Sequence, residues 1–457
     1  MKINIDTNNQ YQTFEGIGAS GAWWAQEVGS WEHIDEFSGL TVRDRISELL
    51  YSKENGIALR TYRYNIGAGS RHSGNGNIQN PLRRTESFDC GEGKYDFSRD
   101  KNAVYMMTQA AKDGAEEIIL FVNSPIERLT KNGWSHLGKL QIMKDNLSRK
   151  NYEAFAKYCL DVTEHFVDMG LPIKYLSPIN EPIWIWNGGQ EGCHYSPSNA
   201  GRVMKIFAKK LAEREKLKNV KLSGFESGDI RWFNKSFTRQ LLKHKIVRER
   251  IDAIDVHSYC LPAPKPLNFK FFNDRVGFLK RYRKWLDKHY PDIDVKMSEW
   301  CHMQGGRDKT MKSALVMANV MYEDLSILNV TSWQHWIAVS EVDYCDGLIY
   351  INLDDESFEM TKRYYATGNF SKYIPFGAKR VEATLESTDL KLLAFIKDDK
   401  TYLIIINDTE NEKSVTLPTD KKLIKLVVTN ESDDLKEYEL NSSDIIISKM
   451  SVNTIIF

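Results

Sequence analysis

Two glutamates in this sequence each stand at the end of a run of apolar residues. Glu181 ends the segment Leu176-Ser177-Pro178-Ile179-Asn180-Glu181, and Glu299 follows Val295-Lys296-Met297-Ser298. Both runs resemble β-strands, whose interiors hold few charges, so a carboxylate at each end indicates chemistry rather than packing. Glycoside hydrolysis requires such a pair, because one group protonates the leaving oxygen while the other attacks the anomeric carbon or activates water. The pair therefore predicts a carbohydrate hydrolase.

The composition is typical of a globular protein that acts on neutral molecules. The chain has 457 residues, 42% of them hydrophobic, and a formal net charge of +0. It therefore lacks the positive field that favours nucleic acid or anionic membranes. We expect an oligosaccharide or polysaccharide as partner, no nucleic acid and no membrane. The sequence leaves the assembly state open, and a monomer is compatible with it.

The cysteines and the first residues bear on where the protein acts. The six cysteines show no Cys-x-x-Cys spacing, so we expect free thiols. The segment Met1 to Asp6 alternates apolar and polar residues and lacks the apolar run of a secretory signal. We expect either a cytoplasmic protein or a secreted one whose leader has been removed.

Strand-like and helical segments alternate from about residue 14 to 375, which predicts eight consecutive βα units. Eight such units close most readily into a (β/α)8 barrel, a TIM barrel of the α/β class. The predicted strands are Phe14 to Ala19, Ile57 to Ile66, Glu117 to Val122, Ile173 to Ile179, Val220 to Phe225, Ala253 to Ser258, Asp294 to Ser298 and Val330 to Trp336. Residues 377–457 contain only short strand-like runs and predict a β-sandwich, to which residues 1–13 contribute a strand. The barrel then spans residues 14–376.

The chain resembles glycoside hydrolase family 30 over nearly its whole length. The resemblance is carried by Asn180-Glu181-Pro182 and Ser298-Glu299-Trp300, and by four further segments. These are Gln12 to Ser20, Arg63-Tyr64-Asn65-Ile66-Gly67, Val256-His257-Ser258-Tyr259 and Lys362 to Ser371. The family has a (β/α)8 barrel with a side β-sandwich built from both termini, and it retains anomeric configuration.

The resemblance implies roles for individual residues. Glu181 would be the acid/base and Glu299 the nucleophile, with carboxyl groups about 5 to 5.5 Å apart. Arg63 and Tyr259 would stabilise the nucleophile, and Asn180 would bind the sugar 2-hydroxyl. His257 and Trp336 are further predicted substrate contacts, Trp336 as a stacking platform. No metal or cofactor is expected, because the carboxylates supply both proton and nucleophile.

The sequence departs from the family after the third predicted strand. Where relatives usually carry Pro and Trp as an aromatic wall, this chain has Ile126, Glu127 and Arg128. The charged residues either bind substrate or form a surface ion pair with each other, and Trp134 is a candidate to refill the wall.

The loop after Glu181 most resembles the endo-β-1,6-galactanase branch, and it offers Trp184 and Trp186 for stacking on additional sugars. We therefore expect a retaining enzyme acting on β-linked glycans, with β-1,6-galactan as the first candidate. Exo-acting β-glucosidase, β-xylosidase or β-fucosidase activity and xylanase-like specificity remain open, because loops decide the subsites. The alternative outside the enzymes is a catalytically idle carbohydrate-binding barrel.

Overall fold

The secondary structure comes from a computed structural model that describes residues 1–73, 78–138, 144–260, 273–386, 389–419 and 425–457. Within these residues the strands are β1 (Ile3–Thr13), β2 (Gly16–Ser20), β3 (Thr61–Asn65), β4 (Glu117–Phe121), β5 (Ile173–Ser177), β6 (Lys221–Leu222), β7 (Ala253–His257), β8 (Asp294–Trp300), β9 (Ser332–His335), β10 (Val339–Ser340), β11 (Ile349–Ile351), β12 (Phe358–Met360), β13 (Lys379–Leu385), β14 (Leu390–Lys397), β15 (Lys400–Asn407), β16 (Lys413–Thr416), β17 (Lys425–Thr429), β18 (Lys436–Tyr438), β19 (Asp444–Ile447) and β20 (Ser451–Ile456). The α-helices of the same residues are α1 (Ala25–Val28), α2 (Val42–Tyr51), α3 (Lys101–Asp113), α4 (Tyr152–Asp168), α5 (Pro197–Ala212), α6 (Asn234–Leu242), α7 (Lys245–Arg248), α8 (Arg275–His289), α9 (Met311–Glu323) and α10 (Lys362–Ser371).

Strands β2 to β9 form one eight-stranded sheet and alternate with helices along the chain. This is the predicted (β/α)8 arrangement, and the fold prediction is confirmed. Such strands are buried on both faces, as β4 shows with Ile118, Ile119, Leu120 and Phe121 all buried.

The chain divides into two compact units. The first unit comprises Met1–Ala19, Glu48–Arg60 and Trp300–Phe457, and the second comprises Ser20–Ser47 and Thr61–Glu299. The predicted domain boundaries, at residues 13 and 376, stay a prediction.

The second unit holds most of the barrel strands. In it β3, β4, β5 and β6 pair in parallel in that order, and β7 pairs in parallel with β8. Two isolated parallel bridges, Leu222 to Ile251 and Ser227 to Val256, join the region of β6 to that of β7. The carboxyl ends of these strands therefore point to one face, where barrel enzymes carry their catalytic groups.

The first unit holds two antiparallel sheets. The larger has the order β1-β13-β14-β15-β20-β17-β18, so the amino-terminal strand pairs with the carboxy-terminal ones, and β16 pairs with β19 in the smaller. Ile3, Leu403 and Ile455 of the larger sheet share one hydrophobic cluster with Val415 and Ile447 of the smaller. The two sheets thus enclose a common apolar core, as in a β-sandwich.

Helix boundaries follow local capping signals. Helix α5 begins with Pro197 at its first position, and the Ser196 hydroxyl accepts a hydrogen bond from the Asn199 N–H at 3.3 Å. The Thr361 hydroxyl caps α10 in the same way. Among the described residues, none of the helices has both the length and the apolar composition needed to cross a membrane.

Several predicted strands are longer than those observed. The predicted strand at Ile57 to Ile66 is reduced to β3, and that at Val220 to Phe225 is reduced to β6. In both cases the flanking apolar residues are buried although they lie outside the strand, so the apolar run overstates strand length. Helix α9 is followed directly by a π-helical turn, Asp324–Leu328.

Candidate active site

The two glutamates predicted from strand ends lie close together in the second unit. Glu181 follows β5 by four residues, and Glu299 is the penultimate residue of β8. One carboxylate oxygen of each lies within 4.8 Å of the other and of a ring nitrogen of His257. Both side chains are buried, with 8% of Glu181 and 7% of Glu299 exposed. Both carboxyl groups can therefore reach the same small region of a ligand.

His257, the last residue of β7, lies between the carboxylates. Its Nδ1 is 2.8 Å from Oε1 of Glu181 and 3.5 Å from Oε1 of Glu299. Burial alone would lower the pKa of His257, but Glu299, Glu181 and Glu226 together raise it above its usual range. The three carboxylates therefore favour the imidazolium form of the ring.

Arg63, in the middle of β3, binds three acceptors. One terminal nitrogen donates to Oε2 of Glu299 at 2.8 Å, while the other donates to Oδ1 of Asn180 at 3.2 Å and to Oε2 of Glu226. The guanidinium is fully buried and stacks on the Phe121 ring at 3.7 Å. Its fork geometry fixes these groups relative to one another.

Glu299 and Glu181 have different surroundings. Besides Arg63, the Tyr259 hydroxyl donates to Oε1 of Glu299 at 3.4 Å, so donors surround this carboxylate. Burial, assisted by the charge of Glu299, raises the pKa of Glu181 to about 7, although His257 and Arg63 act in the opposite direction. The site thus combines Glu181, whose carboxyl group binds a proton near neutral pH, with Glu299, whose carboxylate accepts hydrogen bonds from Arg63 and Tyr259.

The backbone of Glu181 is fixed as well as its side chain. Its φ of 42° lies in the left-handed region, and its N–H donates to the Glu226 carbonyl at 2.8 Å. Its own carbonyl accepts from the Trp184 N–H and from the Trp186 indole N–H, each at 3.3 Å. These bonds hold a conformation that is unfavourable for a residue with a Cβ.

Asn180 is held from both ends of its amide. Its Oδ1 accepts from Arg63, and its Nδ2 donates to Oδ1 of Asn123 at 3.0 Å. Asn123 in turn donates to Oδ1 of Asn65 at 3.4 Å. Asn180 therefore has a fixed orientation beside the carboxylates.

Sequence reasoning missed Glu226. Its side chain is fully buried, accepts from Arg63 and lies 3.4 Å from Nε2 of His257. Burial would raise the pKa of Glu226, but Arg63 and His257 hold it below its usual range. The signal was present, because Glu226 directly follows the predicted strand Val220 to Phe225 in the way that Glu181 follows its own apolar run.

Trp184 and Trp186 lie half-buried in the loop after Glu181, and each packs on a glycine. A Cβ on Gly228 would lie 2.0 Å from the Trp184 indole nitrogen, and one on Gly192 would lie 2.1 Å from the Trp186 ring. The two glycines thus make room for the indoles. The side chains of both tryptophans are therefore fixed by packing.

The preceding loop holds the other predicted contacts of this unit. Trp134 is half-buried and stacks on His136, with ring centroids 5.3 Å apart. Arg128 makes a bidentate bond to Asp89, with both distances 2.8 Å. Glu127 accepts from the Ser135 N–H at 3.1 Å and from a serine hydroxyl. Glu127 and Arg128 thus bind different partners. The predicted alternative of a surface ion pair between them is therefore wrong.

The predicted platform Trp336 belongs to the first unit. It is half-buried, and its N–H donates at 2.9 Å to the carbonyl of Trp300, the residue after Glu299 in the chain. Trp333 is fully buried and donates its indole N–H to Asp324 at 3.1 Å, so it packs as a core residue. The role of Trp336 in binding stays a prediction.

Glu181, His257 and Glu299 are also the one group with metal-ligand spacing that the described part of the chain contains. A cation at this place would face the buried Arg63 guanidinium and would have to displace the His257 proton. We assign no metal to these residues, because the adjacent Arg63 guanidinium repels a cation.

Comparisons with known proteins, like the geometry of the two glutamates, indicate a glycoside hydrolase. A model of O-glycosyl hydrolase family 30 matches residues 1–241 and 280–350, which is more than half of the chain. An endo-β-1,6-galactanase of Hypocrea rufa is 25% identical over 407 residues, covering 82% of this chain and 75% of that protein.

Two solved structures share the fold over 100% of both chains. A conserved exported protein from Bacteroides fragilis has a TM-score of 0.87 at 22% identity. The catalytic domain of a family 30 xylanase C from Talaromyces cellulolyticus has a TM-score of 0.76 at 17% identity. Because the family model matches more than half of the chain, including Glu181 and Glu299, the chain belongs to O-glycosyl hydrolase family 30 and is a glycoside hydrolase.

Proposed function

We propose that this glycoside hydrolase cleaves β-linked glycans with retention of configuration, by two successive displacements at the anomeric carbon. The observation that carries the proposal is the separation of at most 4.8 Å between a carboxylate oxygen of Glu181 and one of Glu299. Retaining enzymes hold these groups about 5 to 5.5 Å apart, whereas inverting enzymes need about 6.5 Å or more to admit a water molecule.

In the first displacement Glu299 attacks the anomeric carbon while Glu181 gives its proton to the glycosidic oxygen, and the leaving sugar departs. The product is a glycosyl ester of Glu299. In the second displacement the Glu181 carboxylate takes a proton from water as that water attacks the same carbon, which releases Glu299. Asn180 binds the 2-hydroxyl, a contact that strengthens in the transition state.

The raised pKa of Glu181, about 7, suits this double role. The group is protonated often enough near neutral pH to act as an acid, and it becomes a base after the leaving group has taken the proton. Arg63 and Tyr259 donate to Glu299 in its charged form, before attack and after release.

The proposed substrate is β-1,6-galactan, cleaved inside the polymer. Supporting this choice, the relative that matches 82% of the chain is an endo-β-1,6-galactanase. Half-buried Trp134, Trp184 and Trp186 lie in the loops after β4 and β5, and indole faces stack on sugar rings. Exo-acting β-glycosidase and xylanase-like activities are the alternatives, and the sizes of the products distinguish all three.

The test is a hydrolysis panel of β-1,6-galactan, β-1,6-glucan, β-1,4-xylan and aryl β-glycosides of galactose, glucose, xylose and fucose. We expect β-1,6-galacto-oligosaccharides of mixed length, with the β-anomer appearing first by proton NMR. Early α-anomer would overturn retention. Release of single sugars only would overturn internal cleavage, and activity confined to another polymer would overturn the substrate.

The matched variants are Glu299→Gln and Asp100→Asn. Both remove a carboxylate from the same unit, but half-buried Asp100 accepts a hydrogen bond from the Tyr64 hydroxyl and makes none with Glu181 or Glu299. We expect Glu299→Gln to abolish hydrolysis and Asp100→Asn to retain it. Unchanged hydrolysis by Glu299→Gln would exclude the nucleophile assignment.

A further inference from the structure

A third glutamate lies beneath the proposed catalytic pair. We propose that Glu226 is a positioning residue, which keeps His257 in its imidazolium form and fixes Arg63 against the catalytic carboxylates. The inference rests on the proposed function, since it assigns a task within that site. Glu226 itself is fully buried and touches no sugar in this scheme.

The first argument is the environment of the His257 ring. Its Nδ1 faces Glu181 at 2.8 Å and Glu299 at 3.5 Å, and its Nε2 faces Glu226 at 3.4 Å. A neutral imidazole has one N–H and one lone pair, so one of its nitrogens would turn a lone pair towards a carboxylate. Only the imidazolium offers a hydrogen to both sides. Glu226 provides the acceptor on the side away from the catalytic pair.

The second argument is the charge balance of the buried cluster. Arg63 and His257 contribute two positive charges, and Glu226 and Glu299 contribute two negative charges when Glu181 holds its proton. Without the charge of Glu226, one buried positive charge has no partner. Because Arg63 cannot release a proton, the unpaired positive charge is removed by loss of the His257 proton.

The groups that face His257 come from three neighbouring strands. They are Glu181 after β5, Glu226 after β6, and Glu299 on β8, with the Tyr259 ring edge-on at 6.1 Å. Glu226 is the one of the three carboxylates that takes no part in bond making. Its charge therefore stays constant through the reaction cycle, whereas Glu181 and Glu299 each change theirs.

The third argument is that the backbone at Glu226 and Ser227 binds the backbones of Glu181 and His257. The Glu226 carbonyl accepts from the Glu181 N–H, and the Ser227 carbonyl accepts from the His257 N–H, both at 2.8 Å. The φ of Glu226 is 41°, a value that glutamate and glutamine tolerate equally poorly. Glu226→Gln therefore leaves these backbone bonds available and removes only the charge.

The experiment reads the charge of His257 directly. Protein with ring-¹⁵N-labelled histidine is observed by NMR at about pH 8, where an ordinary histidine with a pKa of about 6.5 is neutral. His257→Gln identifies the signal. We expect imidazolium at His257 in the wild type and in Asp100→Asn, a neutral ring in Glu226→Gln, and recovery of imidazolium in Glu226→Asp.

Activity gives a second readout on the same proteins. We expect Glu226→Gln to lower kcat by about 10- to 100-fold, as for residues that orient a reacting group, and Glu226→Asp to restore part of it. The NMR result does not depend on hydrolysis, so a failed substrate proposal and a failed role for Glu226 are distinguishable.

Two results would overturn the inference. One is a neutral His257 in the wild type at about pH 8; the other is an imidazolium that persists in Glu226→Gln. If Glu226→Gln does not fold, titration of His257 in the wild type decides, because an ordinary pKa there contradicts the role of Glu226.

Discussion

Replacement of His257 by glutamine tests how the site sets the proton affinity of Glu181. In the wild type a charged Nδ1–H donates to Oε1 of Glu181 at 2.8 Å and favours its ionised form. Glutamine keeps a polar side chain of similar length but removes the positive charge. The pKa of Glu181, about 7 in the wild type, must therefore rise.

The size of the change follows from the bond that is weakened. Hydrogen bonds to charged groups contribute about 1.5–3 kcal/mol, and one pH unit corresponds to about 1.4 kcal/mol. We therefore expect the pKa of Glu181 to rise by about one to two pH units. Since Glu181 acts as an acid in the first displacement, activity is lost as pH rises through this pKa. The basic limb of the profile should move to higher pH by the same amount.

The assay is kcat/KM against pH on an unactivated β-linked oligosaccharide, for which proton donation is needed and which reports the free enzyme. The matched control is His165→Gln, because His165 lies on α4 and stacks on Phe97 at 3.6 Å. The control should keep the wild-type profile. A basic limb that stays in place or moves to lower pH in His257→Gln would refute the reasoning.

Three further predictions concern Arg63, the loop that holds Trp184, and the core of the β-sandwich. Arg63→Lys should lower kcat/KM by about 100- to 1,000-fold, because lysine cannot reproduce the fork that holds Glu299; steady-state kinetics with a loss below tenfold would contradict this. Gly228→Ala should displace Trp184 and raise KM for long oligosaccharides several-fold more than for an aryl monosaccharide, and equal changes for both would contradict a role in extended binding. Ile455→Ala should lower the free energy of unfolding by about 2–5 kcal/mol in denaturant titration without changing kcat, whereas a change in kcat with unaltered stability would be contrary to its place in the sandwich core.

The catalytic pair could be predicted from the sequence because its signal is local. An apolar strand that ends in a glutamate is unusual, and parallel strands bring such ends to one face. Glu226 carries the same signal, but β6 has only two residues and ends four positions before Glu226. Its task depends on contacts with Arg63 and His257, which are 163 and 31 residues away and have no local trace.

The loops show where sequence reasoning ends. Trp184 packs on Gly228, which lies in the loop after β6. Arg128 forms its ion pair with Asp89. Neither neighbour can be inferred from spacing, because loop conformation is set by tertiary contacts rather than by periodicity. The same reason explains why Glu127 and Arg128, adjacent in sequence, bind different partners.

The most direct test of the central claim is capture of the glycosyl ester on Glu299. A 2-deoxy-2-fluoro β-glycoside with a good leaving group, of the sugar that the panel identifies, should slow the second displacement and let the intermediate accumulate. We predict an increase in protein mass by one fluorosugar, located by peptide mapping on Glu299 and absent in Glu299→Gln. A label on another residue would contradict the account. So would the absence of any label together with products of inverted configuration.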